Sequence, residues 1–272
     1  TIKTATNSFE ECPECVPPAE GSIGILPPKG TTEEVVNEEE QVVNNLTNEC
    51  AKEIFSNLRE ENFQEDFLKP EILLPSDKIF LTFSQSILKL FNELEFIKYT
   101  VQNGTLDGLA GQTGPFERGI LTTISDSYLQ NATKLSIART MIHESVHAYI
   151  LYKNSSLDFD FRQSIELFGK ENGYDIKVDP NRFHHEFMGQ YINAMAYSLL
   201  QWDKKFGSGG NLGWEYYHAM AFGGLFFKDS SGNLIETDSF KELVPNSLDR
   251  KKIINILKNE EQGNSSSKGI KC

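Results

Sequence analysis

Apolar side chains recur at steps of three and four residues in several stretches of the chain, a pattern typical of helices with one buried face. The pattern predicts helices over about 32–62, 84–95, 133–153, 183–205, 214–221 and 247–259. Two short runs, 96–101 and 119–125, are typical of strands. The Gly-rich stretch 104–119 between them is interpreted as a loop. Together these elements predict an α+β fold that is mainly helical, with a small sheet.

The periodic elements also divide the chain. Proline and glycine punctuate residues 1–32, which are predicted to be a flexible tail or linker. Residues 33–262 are predicted to form one domain, and the Gly-, Ser- and Lys-bearing stretch 263–272 a second flexible tail. The chain opens with Thr1 rather than Met, so we expect a processed or excised product. This start favours a secreted or delivered protein and specifies no compartment.

The balance of charges narrows the classes of partner. The chain has 26 Lys and Arg against 39 Asp and Glu, a formal charge of -13. Such a surface repels phosphate backbones, so nucleic acid is not an expected partner. No stretch approaches the roughly 20 consecutive apolar residues that span a bilayer, so no membrane-spanning segment is expected. Composition leaves the oligomeric state open.

The predicted helix 133–153 contains the motif His143-Glu144-Ser145-Val146-His147. Residues four apart lie on the same helix face, so His143 and His147 can point two imidazoles at one ion. Glu144 would then lie beside the ion, where it can act as general base toward metal-bound water. The motif predicts a zinc site with His143 and His147 as metal ligands and Glu144 as the catalytic residue.

The residues around the motif support this interpretation. They are apolar or small on most faces of the helix, which predicts burial: Ile137, Ala138, Met141, Ile142, Ser145, Val146 and Ala148. A buried helix that presents two His and one Glu needs a compensating partner, and a metal ion is one. The alternative is two hydrogen-bonded core histidines beside a paired glutamate.

A catalytic zinc site takes a third protein ligand and keeps one open position. Three neighbours at the start of the next helix compete for that role: His184, His185 and Glu186. His185 continues the face set by the apolar positions 188, 192, 195 and 199 at three- and four-residue spacing, so it is the favoured ligand. Periodicity separates neighbouring positions only weakly, and His184 and Glu186 stay as alternatives.

Three further residues are candidates for stabilising a developing oxyanion. Tyr216, Tyr217 and His218 follow one another in the predicted helix 214–221. Each carries a group that can donate a hydrogen bond to negative charge. The alternative, an ordinary core or surface position on a helix, is favoured for His218.

The four cysteines add little to the site. Cys12 and Cys15 form a lone pair at metal-ligand or redox spacing, without the second pair that a four-ligand zinc site needs. We favour incidental thiols or a short-range disulfide for this pair and leave its state open. Cys50 falls on the apolar face of a predicted helix and is interpreted as a small core hydrophobe. Cys272 is given no role.

The strand 119–125 bears on the substrate. Its Thr122-Thr123 interruption and flanking glycine are interpreted as signs of a short edge strand. An extended peptide could pair with such an edge and lie across the metal. An ordinary strand without a ligand is the alternative.

The block 137–149, IARTMIHESVHAY, resembles the active-site helix of SprT-like zincin metallopeptidases, including uncharacterised members from Bacteroidetes bacteria. Two later elements, HEFM at 185–188 and FGGL at 222–225, resemble further parts of that family. The resemblance covers about 45–260. It implies a bacterial α+β zincin domain with three His ligands, a Glu base and peptide-bond hydrolysis. The chain lacks the zinc ribbon of the DNA-associated members and is acidic, so their DNA-repair role is not expected.

Motif and resemblance lead to one hypothesis: a zinc metallopeptidase, an endopeptidase, that cleaves protein or peptide substrates through a Glu-activated, zinc-bound water. The alternative is a zinc-containing binding or delivered effector module in which the catalytic geometry is unused. Neither the motif nor the composition identifies the substrate.

Overall fold

The computed structural model describes residues 42–59, 98–117, 119–155, 180–228 and 234–272. The predicted tail 1–32, with Cys12 and Cys15, and the predicted helix 84–95 lie outside the described residues. Within them the fold is mixed, with helices around a small four-stranded sheet. The prediction of an α+β fold is confirmed.

The sheet consists of β1 (Val42–Asn45), β2 (Lys98–Gly104), β3 (Gly111–Phe116) and β4 (Gly119–Ser125), in the spatial order β1-β2-β4-β3. Strands β1, β2 and β4 are parallel, and β3 runs antiparallel to β4. Strand β4 therefore lies inside the sheet, and its interpretation as an edge strand is wrong. The edge strand beside it is β3.

The helices, in chain order, are α1 (Glu49–Leu58), which lies between β1 and β2, and then α2 (Asp126–Leu129), α3 (Lys134–Ser155), α4 (Pro180–Met188), α5 (Ile192–Phe206), α6 (Trp214–Ala221), α7 (Asp238–Leu243) and α8 (Ser247–Gln262). A short hairpin of β5 (Phe226–Lys228) and β6 (Leu234–Glu236) lies between α6 and α7. None of the helices in the described ranges combines the length and the apolar character that crossing a bilayer requires.

Helix α3 is the central element. It packs against β3 and β4 on one side and against α1 and α5 on others. Thr133 begins the helix, because its hydroxyl accepts a hydrogen bond from the Ser136 amide at 3.1 Å and so caps the first turn. Ile137, Ala138 and Val146 have no exposed surface, so the predicted burial of this helix is confirmed.

Two predicted elements, a helix and a loop, contain a strand in the structure. The predicted helix 32–62 contains strand β1, and α1 begins only after Asn48, whose side chain accepts a hydrogen bond from the Ala51 amide at 2.9 Å. Asn48 thus caps the helix and ends the periodic pattern that seemed to run through it. The predicted loop 104–119 contains β3, which tolerates Pro115 because an edge strand does not need every amide for pairing.

The predicted helix 183–205 is also divided. Helix α4 ends at Met188, a 3-10 turn covers Gly189–Tyr191, and α5 begins at Ile192. Gly189 lies at the break, where an added Cβ would come within 3.0 Å of Ser239 Cβ. Glycine is a poor helix former, and here its missing side chain also permits close packing.

The last part of the described chain packs onto the start of α3. Residues 263–272, for which composition predicts a flexible tail, are connected to it by a hydrogen bond from the Lys134 amide to the Ile270 carbonyl at 2.7 Å. The buried Glu260 carboxylate accepts hydrogen bonds from the amides of Lys268 and Gly269. Cys272 forms a disulfide with Cys50 of α1. The interpretation of Cys50 as a small core hydrophobe is incomplete: the residue is half-buried against the hydrophobic core, and it is also bonded to a residue 222 positions away that helix periodicity cannot reveal.

Candidate metal centre

Helix α3 brings His143 and His147 together on one face. Their rings lie 4.9 Å apart, centroid to centroid, as expected for residues one helical turn apart. His143 is buried, with 4% of its surface exposed, while His147 is half-buried. The pair thus faces out of the core toward the surface, with His143 on the inner side.

His185 reaches the same place from α4. Its ring centroid lies 5.7 Å from that of His143 and 5.2 Å from that of His147. One ring nitrogen from each of the three residues lies within 4.8 Å of the other two, and this is the group in the described residues whose spacing suits a metal ion. The structure therefore brings together the three residues predicted as metal ligands.

The two other candidates for the third metal ligand are Glu186 and His184. Both carboxylate oxygens of Glu186 accept hydrogen bonds from backbone amides at the start of α7, from Asp238 at 3.0 Å and from Ser239 at 2.6 Å. The Glu186 side chain is buried, and its carboxylate stabilises the N-terminus of α7. The side chain of His184 lies outside the described residues.

Glu144 lies next to His143 on α3 and is 5% exposed. Its Oε2 atom accepts a hydrogen bond of 2.8 Å from the Thr113 hydroxyl of β3. Its Oε1 atom faces Gly111 at the start of the same strand, where an added Cβ would come within 2.9 Å. The missing side chain at position 111 therefore lets the edge strand approach the carboxylate closely.

The electrostatic environment keeps His143 neutral. Burial, and after it electrostatic repulsion from His185 and Arg139, hold the pKa of the His143 imidazole well below its usual value of 6.5. The His143 Nδ1 atom is buried and has no hydrogen-bond partner among the described residues. A neutral imidazole is the form that binds a metal ion.

A glycine pair after α6 covers His143. Gly224 has a φ of +95°, and an added Cβ would come within 2.2 Å of His143 Cε1. At the preceding Gly223, an added Cβ would come within 2.5 Å of the guanidinium carbon of Arg139, one turn earlier on α3. The sequence FGGL is thus the segment that packs on the ligand helix, and both glycines are required by close approach.

Replacing Gly224 with Ala is expected to weaken metal binding by about 10–100-fold, the range for residues that orient a ligand. The new methyl group would displace the His143 ring. Gly213→Ala is the matched control, because Gly213 also has a positive φ, +83°, but no described atom lies within 4 Å of the added Cβ. Competition with a chelating dye measures both affinities, and equal losses in the two variants would show that backbone strain alone is responsible.

The candidates for oxyanion stabilisation have other partners. The Tyr216 hydroxyl donates to Glu260, and the Tyr217 hydroxyl donates to Asp203 at 2.6 Å. Burial is the main cause that raises the pKa of both phenols above the usual value. His218 stacks on Trp214 and contacts the Phe222 ring edge-on. The two tyrosines connect α6 to buried carboxylates, and none of the three belongs to the histidine group.

Sequence reasoning missed Thr113. It falls in the stretch interpreted as a loop, so its side chain had no assigned direction. The available signal is indirect: a Gln-Thr-Gly-Pro run, 112–115, separated by three residues from the strand 119–125, allows a tight hairpin that turns Thr113 toward the next helix.

Comparison of the chain with known protein families, with curated proteins and with solved structures finds no match. The kind of metal that suits the site is therefore inferred from its own donor atoms. Three imidazoles suit zinc, copper, iron and nickel, which accept nitrogen ligands, better than magnesium or calcium, which prefer oxygen. The histidine group is able to bind a metal ion, and its donors define the class of metal.

Proposed function

We propose that this protein is a zinc-dependent metallopeptidase. The observation that carries the proposal is the convergence of His143, His147 and His185 next to the buried carboxylate of Glu144. Three protein ligands and one open position are the composition of catalytic zinc sites, whereas structural sites have four protein ligands. The resemblance of the block 137–149 to SprT-like zincins supports the same assignment.

Glu144 would be the general base. When bound, zinc would supply a Lewis acid that polarises the scissile carbonyl and lowers the pKa of water toward about 7. Glu144 would accept a proton from the attacking water as the water oxygen bonds to the carbonyl carbon of the substrate. The same proton then goes to the leaving nitrogen as the carbon–nitrogen bond breaks. Burial of the carboxylate beside Thr113 and Gly111 would keep it aimed at this position.

We infer that the substrate is an extended peptide segment. Strand β3 is an edge strand of the described sheet, and its first residue, Gly111, lies against Glu144. A peptide that added to this edge would pass the carboxylate in extended form. Two exposed apolar side chains flank the strand, Leu109 before it and Phe116 at its end, and they would contact apolar side chains of such a peptide.

We also infer an oxidising compartment for the mature protein. The Cys50–Cys272 disulfide supports this assignment, because disulfides persist in extracytoplasmic environments and are rare in reducing ones. This location agrees with the expectation of a secreted or delivered protein.

Metal analysis tests the proposed ligand set. The purified protein is expected to contain about one equivalent of zinc, and His185→Ala is expected to lose it. His218→Ala is the matched control, since His218 is another half-buried helical histidine that lies outside the group. Retention of zinc by His185→Ala, or equal loss in both variants, would contradict the ligand set.

Removal of the metal tests the activity. Cleavage of unfolded protein substrates is expected to stop after dialysis against a zinc chelator and to return when zinc is added. A protein that binds one zinc but cleaves no substrate in a broad peptide library would instead be a zinc-containing binding or effector module.

A further inference from the structure

A line of buried hydroxyl groups crosses the face of the sheet that packs on α3. It begins at Glu144, whose Oε2 atom accepts a hydrogen bond from Thr113 at 2.8 Å. The Thr113 hydroxyl lies 2.6 Å from that of Thr122 in β4, and Thr122 lies 3.1 Å from the Tyr99 hydroxyl in β2. The line thus connects the proposed general base to three adjacent strands.

Several neighbouring side chains on this face are apolar. Val101, Ile120 and Ile124 are buried there, in the register that places Thr122 beside Val101 and opposite Thr113. Valine has the shape of threonine and would fill either position without the cost of burying a hydroxyl group. Polar residues at both positions therefore need a reason other than packing.

Each hydroxyl group has one proton to donate, and this determines the direction of the hydrogen bonds along the line. An ionised carboxylate only accepts hydrogen bonds, so the single Thr113 proton goes to Glu144. Thr122 must then donate its proton to Thr113, so toward the Tyr99 hydroxyl Thr122 can only accept. Burial raises the pKa of Tyr99 to about 12, so this hydroxyl keeps its proton at neutral pH. The Thr113 and Thr122 hydroxyl groups thus point their protons toward the carboxylate, and the protonated Tyr99 hydroxyl is able to donate to Thr122.

We propose that Thr113 is a positioning residue for Glu144, and that Thr122 and Tyr99 hold the Thr113 hydroxyl in its donating orientation. The hydrogen bond occupies Oε2 and fixes the rotation of the carboxylate. Oε1 lies on the other side, against Gly111. The catalytic consequence rests on the proposed peptidase function, while the orientation of the carboxylate does not.

Thr113→Val, Thr113→Ser and Thr123→Val test the proposal. The valine variant removes the hydroxyl and keeps the shape, and the serine variant restores the hydroxyl. Thr123→Val is the matched control: Thr123 follows Thr122 in β4, so its side chain lies on the opposite face of the sheet, where its hydroxyl accepts from Gln102 at 3.4 Å. Crystal structures of the zinc-loaded proteins report the carboxylate position, and steady-state kinetics on a peptide substrate report kcat and KM.

In Thr113→Val the Glu144 carboxylate is expected to rotate away from its wild-type position. The expected kcat falls about 10–100-fold, with KM changed less than about twofold and zinc affinity unchanged. Thr113→Ser and Thr123→Val are expected to keep the wild-type carboxylate position and kcat. If Thr113→Val does not fold, Thr122→Val provides the test, because it removes the donor to Thr113 and is expected to lower kcat by a smaller factor.

The outcomes separate the two proposals. An unmoved carboxylate in Thr113→Val, or an unchanged kcat despite a moved one, would overturn the positioning role. If wild-type protein cleaves nothing, the peptidase function fails, and the carboxylate position still decides whether Thr113 orients Glu144.

Discussion

Glu144→Gln is expected to keep the bound metal and to lose peptide hydrolysis by about 10²–10⁴-fold, the range for removal of a general base. The amide has the same size as the carboxylate and still accepts the hydrogen bond from Thr113 through its oxygen. It cannot take a proton from water. The measurement is kcat/KM on a peptide substrate together with zinc content by elemental analysis.

The control for this substitution is Glu242→Gln. Glu242 is an exposed residue of α7, so its replacement changes the charge by the same amount away from the histidine group. This variant should cleave at the wild-type rate. A Glu144→Gln protein that hydrolyses peptides as fast as wild type would rule out the general-base role, even if zinc is present.

Removing the Cys50–Cys272 disulfide is expected to lower the free energy of unfolding by about 2–5 kcal/mol. The bond joins residues 222 positions apart, so it restricts a large part of the unfolded chain. It also links the C-terminal segment covalently to α1, and this segment contacts the first turn of α3. Denaturant unfolding of the Cys50→Ser/Cys272→Ser double variant measures the loss.

A reductant gives an independent test of the same bond. The experiment uses metal-free protein, because the thiols released by reduction bind zinc, and a Cys12→Ser/Cys15→Ser background, because a disulfide between Cys12 and Cys15 would also be reduced. A phosphine reductant should destabilise that protein and leave the variant that also lacks Cys50 and Cys272 unaffected. Equal responses would show that the stabilisation has another source.

The central part of the fold was predictable because its signals are local. Helix α3 was predicted over 133–153 and extends over Lys134–Ser155, since its apolar residues recur without interruption. Helix α6 and strand β4 coincide with their predicted ranges. His143 and His147 need only helical spacing to meet, so their proximity follows from the sequence itself.

The contribution of His185 was predictable only in part. Helix phase favoured it over its neighbours, and the structure places it with the other two histidines. That helix phase assumes one continuous helix through Gly189, whereas the structure has a 3-10 turn there. What excludes Glu186 is its pairing with amides of α7, a contact between residues 52 and 53 positions apart that no local pattern contains.

Strands β1 and β3 were missed for related reasons. Val42 and Val43 occur at spacings that also fit the helix that follows, and the Asn48 cap is the feature that separates them. In β3, glycine and proline outnumber the β-formers, and pairing with β4 rather than intrinsic preference creates the strand. The disulfide was missed because a bond between distant cysteines leaves no trace in periodicity.

The C-terminal segment has a consequence for the order of events during synthesis. At the start of α3, Lys134 bonds to Ile270 and Thr133 pairs with Lys271, so the helix that carries two of the three histidines receives these contacts from residues made 136 and 138 positions later. A chain that is still emerging from the ribosome or passing through a translocation channel lacks these contacts. Docking of the C-terminal segment onto the start of the histidine helix is therefore a late step of synthesis.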